Sequence, residues 1–187
     1  VQTCALPICH VHRLARDKQR VLLENFHFRF HQQLAWILDV IANGQIGALR
    51  CLRSAFGVPP FPDRDNIRYQ KELGGGALLD VGAYPVKIAQ ILMGEDVSVR
   101  AAKLNMNSEQ GVDLWGGAFL AQNRGDLFTE IAFGFDHYYQ CSLEIWGSEG
   151  RLVTNRIFTC PRDVEPEIVI ESQGKKEIHK LPADNQI

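Results

Sequence analysis

The sequence predicts an α+β domain, an open, mainly antiparallel β-sheet with helices packed on one face. Three observations predict it. From residue 97 onward the chain is a series of short segments rich in β-branched and aromatic residues, split by Gly, Asn, Asp or Pro. Successive strands joined by such short turns pair antiparallel, because parallel pairing needs a long crossover. Before residue 97, the segments 32–43 and 76–93 repeat their apolar positions at helical spacing. Two helices can cover one face of the sheet and leave the other for a partner.

Taken in order, residues 1–8 (VQTCALPI) resemble a translated sequencing adapter and are set aside from the fold, with a genuine helix start as the alternative. Residues 10–20 are basic and polar, with Leu14 and Ala15 among their few apolar side chains, and read as the end of a helix. In residues 21–30 the β-formers end in an alternation, Phe26, Phe28 and Phe30 against His27 and Arg29, which predicts a strand passing into a loop. Leu34, Ile37, Leu38 and Ile41 predict a helix over 32–43, stopped by Gly44. Residues 47–58 alternate as a strand, with Leu49, Cys51 and Arg53 on one side and Arg50, Leu52 and Ser54 on the other. Residues 59–73 are irregular, and a loop of that length is often functional.

Residues 76–93 read as a helix, with Pro85 tolerated if the regular helix starts near Tyr84 and the proline falls in its first turn. Strands follow at 97–106, 116–123, 127–135, 138–147, 150–155, 167–172 and 176–181. The chain stops soon after Pro182, Asp184 and Asn185, a helix-entry signal, so a truncated C-terminal end is expected.

Composition excludes several function classes. The formal net charge of -2 gives no electrostatic reason for a nucleic-acid or anionic-membrane partner. No apolar run approaches the ~20 residues of a membrane span. Five cysteines, an odd number without a CxxC pair, argue against a disulfide framework or zinc site and for reduced thiols in a cytoplasmic protein. His10 and His12 lack further spaced ligands, so no metal is expected.

The most chemically loaded stretch is GGGALLDVGAYP, residues 74–85. Asp80 and Tyr84 lie four apart, a spacing that shares one helix face. A phenol with an ordinary pKa near 10 is a neutral proton donor at pH 7. Its neighbouring carboxylate can orient it or bind a sugar hydroxyl. Three glycines just before let backbone or a flat ring approach. The bland reading stays open: the glycines as a flexible loop, and Tyr84 as a core residue with a satisfied hydroxyl. An aspartate inside the apolar run ALLDVGAY favours the chemical reading, since it is costly to bury without a partner.

The ordered set ENFHFRFHQQ, ANGQIGALRCLRSAFG, NIRYQKELGGGALLDVGAYPVKIAQILMG and LEIWGSEGRL resembles the glucose–fructose oxidoreductase/inositol dehydrogenase (Gfo/Idh/MocA) family. The flavour is that of the sugar-nucleotide 3-ketoreductases and dihydrodiol-dehydrogenase-like enzymes, whose branch has tyrosine where others have histidine. The resemblance implies an N-terminal Rossmann domain that binds NAD or NADP, followed by an α+β domain that carries the substrate site and an oligomer interface. It implies Tyr84 as the acid/base and Asp80 as a substrate or orienting contact. Arg68 and Asn66 would be substrate-side residues, and Asn25 and Arg29 would lie near the cofactor or substrate cleft. A homo-oligomer through the sheet face and a small carbohydrate-like substrate follow from the same likeness.

One departure matters. No GxGxxG occurs in the sequence, and the family's Glu-Lys-Pro motif is missing too. Residues 1–20 are therefore read as adapter-like residues and a remnant of a preceding domain, and 21–187 as a substrate-binding domain without its cofactor domain. The expected function is that of a fragment of an NAD(P)-dependent oxidoreductase acting on a sugar, sugar nucleotide or polyol, inactive alone. The rival expectation is a non-catalytic dimerisation or binding module using the open sheet face.

Overall fold

The structure, a computed structural model, describes residues 5–184. Residues 1–4 of the adapter-like string and the last three residues of the expected truncated end lie outside the described residues. Eight strands build the sheet: β1 (Leu49–Gly57), β2 (Val97–Met106), β3 (Asp113–Gln122), β4 (Phe128–Gly134), β5 (Gln140–Gly147), β6 (Gly150–Thr154), β7 (Glu167–Ser172) and β8 (Lys175–Lys180). Their order across the sheet is β2-β3-β4-β1-β5-β6-β7-β8. Every neighbouring pair is antiparallel except β1 with β4, which run parallel from Cys51 opposite Phe128 to Gly57 opposite Gly134. The strands after residue 97 therefore pair as hairpins, while β1 inserts between β4 and β5.

Alternation along each strand decides which face is covered. Leu52, Ser54 and Phe56 of β1, Ile131 and Phe133 of β4, and Leu143 and Ile145 of β5 are buried. Arg53 and Glu130 point to the other, open face, where they pair. Helix α2 (Gln32–Ala42) presents Leu34, Ile37 and Val40 to the core, as its spacing requires. It is tied to the sheet at its start. Gln33 Nε2 donates to the Arg156 carbonyl at 3.1 Å, and Thr154 Oγ1 donates to Gln33 Oε1 at 2.6 Å. His31 caps this helix, its Nδ1 accepting from the Gln33 N–H at 3.1 Å. Burial lowers the His31 pKa, against an opposing pull from the Asp184 charge.

Residues 21–30 depart from the expected strand. Phe26 and Phe28 are buried, Phe30 is exposed, and His27–Phe30 form a 3₁₀ turn. The segment joins neither edge strand of the sheet, β2 or β8, and closes its hydrogen bonds locally instead. Residues 5–17 form a further helix, α1 (Ala5–Asp17), which ends before residue 20 as expected but also takes in residues 5–8 of the string set aside from the fold, as the alternative of a helix start there has it.

The expected helix over 76–93 is two elements. Leu78–Gly82 is a π-helical turn, and Ala83–Met93 is the regular helix α3. Two bonds force the wider turn. The Leu78 N–H donates to Asp113 Oδ2 at 2.7 Å, and the Gly82 N–H reaches back five residues to the Ala77 carbonyl at 2.8 Å. Pro85 falls in the first turn of the regular helix α3, as its sequence position predicted. Helix α3 and the π turn before it lie over β1 and β4, and a Cβ at Gly82, the last residue of that turn, would stand 3.0 Å from the Phe133 ring. Among the described residues no helix is long and apolar enough to cross a membrane.

Candidate active site

The junction between the π turn and α3 sets Tyr84 into a wall of aromatic rings. Its ring meets Phe56 at 5.2 Å, Phe26 at 5.3 Å and Phe158 at 5.7 Å edge to face, with His27 at 5.8 Å and Phe28 at 5.9 Å. Four separate parts of the chain build this wall: the segment before α2, strand β1, α3 itself, and the connection after β6. The ring is half-buried, so its orientation is fixed by packing rather than by solvent.

Asp80 sits in the π turn, and its Oδ2 accepts from Arg68 Nε at 2.6 Å. The Arg68 guanidinium also lies over the Phe61 ring at 4.8 Å, which fixes the plane of the fork. Both charges act on Tyr84. Burial raises the phenol pKa, the Asp80 carboxylate raises it further, and Arg68 pulls it back. The hydroxyl is thus held in its neutral, proton-bearing form at pH 7. An arrangement of this kind can donate a proton to an oxygen that gains charge.

The glycines preceding Asp80 form a structured turn rather than a flexible loop. Gly74 and Gly76 have φ of 77° and 119°. A Cβ at Gly75 would stand 2.6 Å from the Arg68 carbonyl, and one at Gly76 would collide with Asp113 Oδ1. The room left by Gly75 and Gly76 is filled by this chain's own atoms; at Gly74 a Cβ would meet nothing. The turn bounds a cleft of about 160 Å³ lined by Arg68, Asp80, Ile67, Leu73 and Leu79.

Of the residues singled out from sequence, Tyr84, Asp80 and Arg68 come together. Asn66 lies beside them, but its Oδ1 accepts from the Arg68 N–H at 3.1 Å and so caps the 3₁₀ turn Ile67–Tyr69. Asn25 and Arg29 are exposed on the segment that carries Phe26 and Phe28 to Tyr84. Sequence reasoning missed Asp113. This buried aspartate accepts from Leu78 N–H through its side chain and from Ala77 N–H through its carbonyl. The signal was present: an aspartate opening the apolar strand GVDLWGG needs a partner as much as Asp80 does. The aromatic wall was not legible, because Phe158 belongs to an irregular segment with no periodicity to read.

The family model for the GFO/IDH/MocA C-terminal domain matches residues 35–153. The chain belongs to the GFO/IDH/MocA family. Within it, the chain is 41% identical over 174 residues to a dTDP-3,4-didehydro-2,6-dideoxy-alpha-D-glucose 3-reductase of Saccharopolyspora spinosa, covering 93% of this chain and 52% of that protein. It is 32% identical over 167 residues to the human trans-1,2-dihydrobenzene-1,2-diol dehydrogenase, covering 87% of this chain and 46% of that one. A solved 3-ketoreductase from Actinomadura kijaniata, in complex with NADP and TDP-benzene, superposes with a TM-score of 0.89 at 38% identity. That match covers 95% of this chain and 54% of the reductase. The chain spans about half the length of the curated relatives it matches. The part of the GFO/IDH/MocA pattern described by the model, residues 35–153, contains Tyr84, Asp80, Arg68 and Asp113.

Proposed function

We propose that this chain is the substrate-binding half of an NADP-dependent reductase that converts a keto carbon of a nucleotide-linked sugar to an alcohol. The observation that carries the reading is Tyr84: a packed, neutral phenol with a carboxylate–guanidinium pair beside it, in a chain similar to 3-ketoreductases along almost its whole length. A bound nicotinamide would supply the hydride. Tyr84 gives its hydroxyl proton to the carbonyl oxygen as charge develops there, so that the product leaves as a neutral alcohol. Burial and the Asp80 charge keep the phenol in its proton-bearing form at pH 7, the form a reduction starts from. Asp80, held by Arg68 at 2.6 Å, accepts from a sugar hydroxyl and orients the sugar ring.

The chain's own share of a cofactor site is small. The sequence holds no GxGxxG, so the phosphates of a dinucleotide have no cradle among these residues. Exposed Asn25 and Arg29, beside the wall that packs on Tyr84, fit a polar contact to such a cofactor. The isolated chain is accordingly expected to turn over no substrate. The open face of the sheet, where the Arg53 guanidinium lies 4.5 Å over the Trp146 ring, is proposed as the contact between copies.

The test is an assay of the full-length protein with NADPH and a dTDP-linked 3-keto-6-deoxy sugar, followed through nicotinamide absorbance. Turnover by the full-length protein, and none by residues 1–187 alone, is the expected result. No turnover with any keto sugar nucleotide under either cofactor would overturn the reading.

A further inference from the structure

Asp113 is buried at the first position of β3, yet its acceptors serve the turn that carries Asp80. Its carbonyl accepts from the Ala77 N–H at 2.9 Å and its Oδ2 from the Leu78 N–H at 2.7 Å. Two successive residues at the start of the π turn are thus pinned to one residue of the sheet. The residue before them is tied to the other half of the ion pair, since the Gly76 N–H donates to the Arg68 carbonyl at 2.9 Å. Gly76–Leu78 therefore form a strut with Asp113 behind it, Arg68 at its side and Asp80 just beyond its end. Asp113 Oδ1 occupies the place a Cβ at Gly76 would take, so the carboxylate has no room to shift toward the strut. A π turn holds about one residue more than an α turn, and each residue of an α-helix turns the chain by about 100°. If Leu78–Gly82 closed into an α-helix, Asp80 would swing round relative to Tyr84 and away from Arg68 Nε, now 2.6 Å from its carboxylate.

We propose that Asp113 is a positioning residue for the reduction: through the strut Gly76–Leu78 it keeps the π turn open and so holds the Asp80–Arg68 pair in register with Tyr84. This rests on the reading of the site as that of a reductase. Asp113 acts only through the turn, and the turn acts through the two charges that bear on the phenol. A misplacement of about 1 Å in groups that orient a substrate can cost about 10²-fold in rate, even when its origin is far from the chemistry.

The experiment uses the full-length protein with two readouts: kcat with NADPH and the keto sugar nucleotide, and the carbon NMR signal of Tyr84 in protein labelled at tyrosine Cζ. Loss of one signal in Tyr84→Phe assigns it. Asp113→Ala is expected to lower kcat about 10–10²-fold and to move the Tyr84 signal, because the charges around the phenol move. Asp113→Asn keeps an oxygen for the Leu78 N–H, so it should stay within about threefold of the parent and leave the signal in place. Ile168→Val thins the core under β7, three strands from β1, and should change neither readout, which separates positioning from lost stability. If Asp113→Ala does not fold, Asp113→Glu takes its place with the same expected loss, because its carboxylate stands one methylene too far along. A kcat within about threefold of the parent in the Ala or Glu variant would overturn the proposal. An unmoved Tyr84 signal would do so too, as would an equal fall in Ile168→Val or an Asn variant as impaired as Ala. The proposal and the catalytic reading fail separately. A signal that moves with Asp113→Ala while Tyr84→Phe keeps full kcat removes only the proton donor. An unmoved signal with a damaged Tyr84→Phe removes only the role of Asp113.

Discussion

On its covered face the sheet buries Phe56, Phe133 and Ile145 under α2 and α3, and four phenylalanines close around Tyr84. Its open face carries charge instead: Arg53 with Glu130, and Arg151 between Glu144 and Glu171. The difference is one of rigidity. Interlocked rings hold a side chain to one rotamer, whereas exposed ion pairs on long side chains exchange with water at little cost. Tyr84, the proposed proton donor, stands on the face that can hold it in place. The open face is free to meet another surface.

The largest effect should come from the aromatic wall. Phe158→Ala removes a fully buried ring in contact with Phe28, Phe56 and Tyr84 and is expected to destabilise the chain by about 3–5 kcal/mol. Urea unfolding of the 187-residue chain checks it; a loss as small as that of an exposed ion pair would show that the wall is not part of the core. Asp113→Ala comes next. It leaves the half-buried Leu78 N–H without its acceptor, for about 1–3 kcal/mol, and lets the π turn relax. The same unfolding series reads the stability, and exchange of the Leu78 amide reads the turn. Glu130→Gln on the open face should be the smallest, below about 1 kcal/mol and weaker still in high salt. A larger cost there would erase the contrast between the faces.

Much of this contrast was legible in the sequence. Strands rich in β-formers and bounded by turn residues, such as 127–135 and 138–147, were legible to within two residues at each end, and the 32–43 helix was legible from four apolar positions. Two things were not. Pairing of β1 between β4 and β5 is a long-range choice that no local pattern encodes. In residues 21–30 the alternation of Phe26, Phe28 and Phe30 looks like a strand, but the segment joins no sheet edge; it turns and delivers two of its rings to Tyr84, a tertiary contact no local pattern encodes. At the site, helical spacing brought Asp80 to Tyr84 on paper. The partner that shapes the turn, Asp113, comes from β3, more than thirty residues on, and only the folded chain shows it.

The central claim is that Tyr84 hands over the proton, and Tyr84→Phe in the full-length protein tests it most directly. Phenylalanine keeps the ring and its aromatic neighbours, so only the hydroxyl is lost. Reduction of the keto sugar nucleotide should lose about 10²–10⁴-fold in kcat, with KM little changed. An unchanged kcat would contradict it and leave Tyr84 as a packing residue beside a proton donor yet to be found.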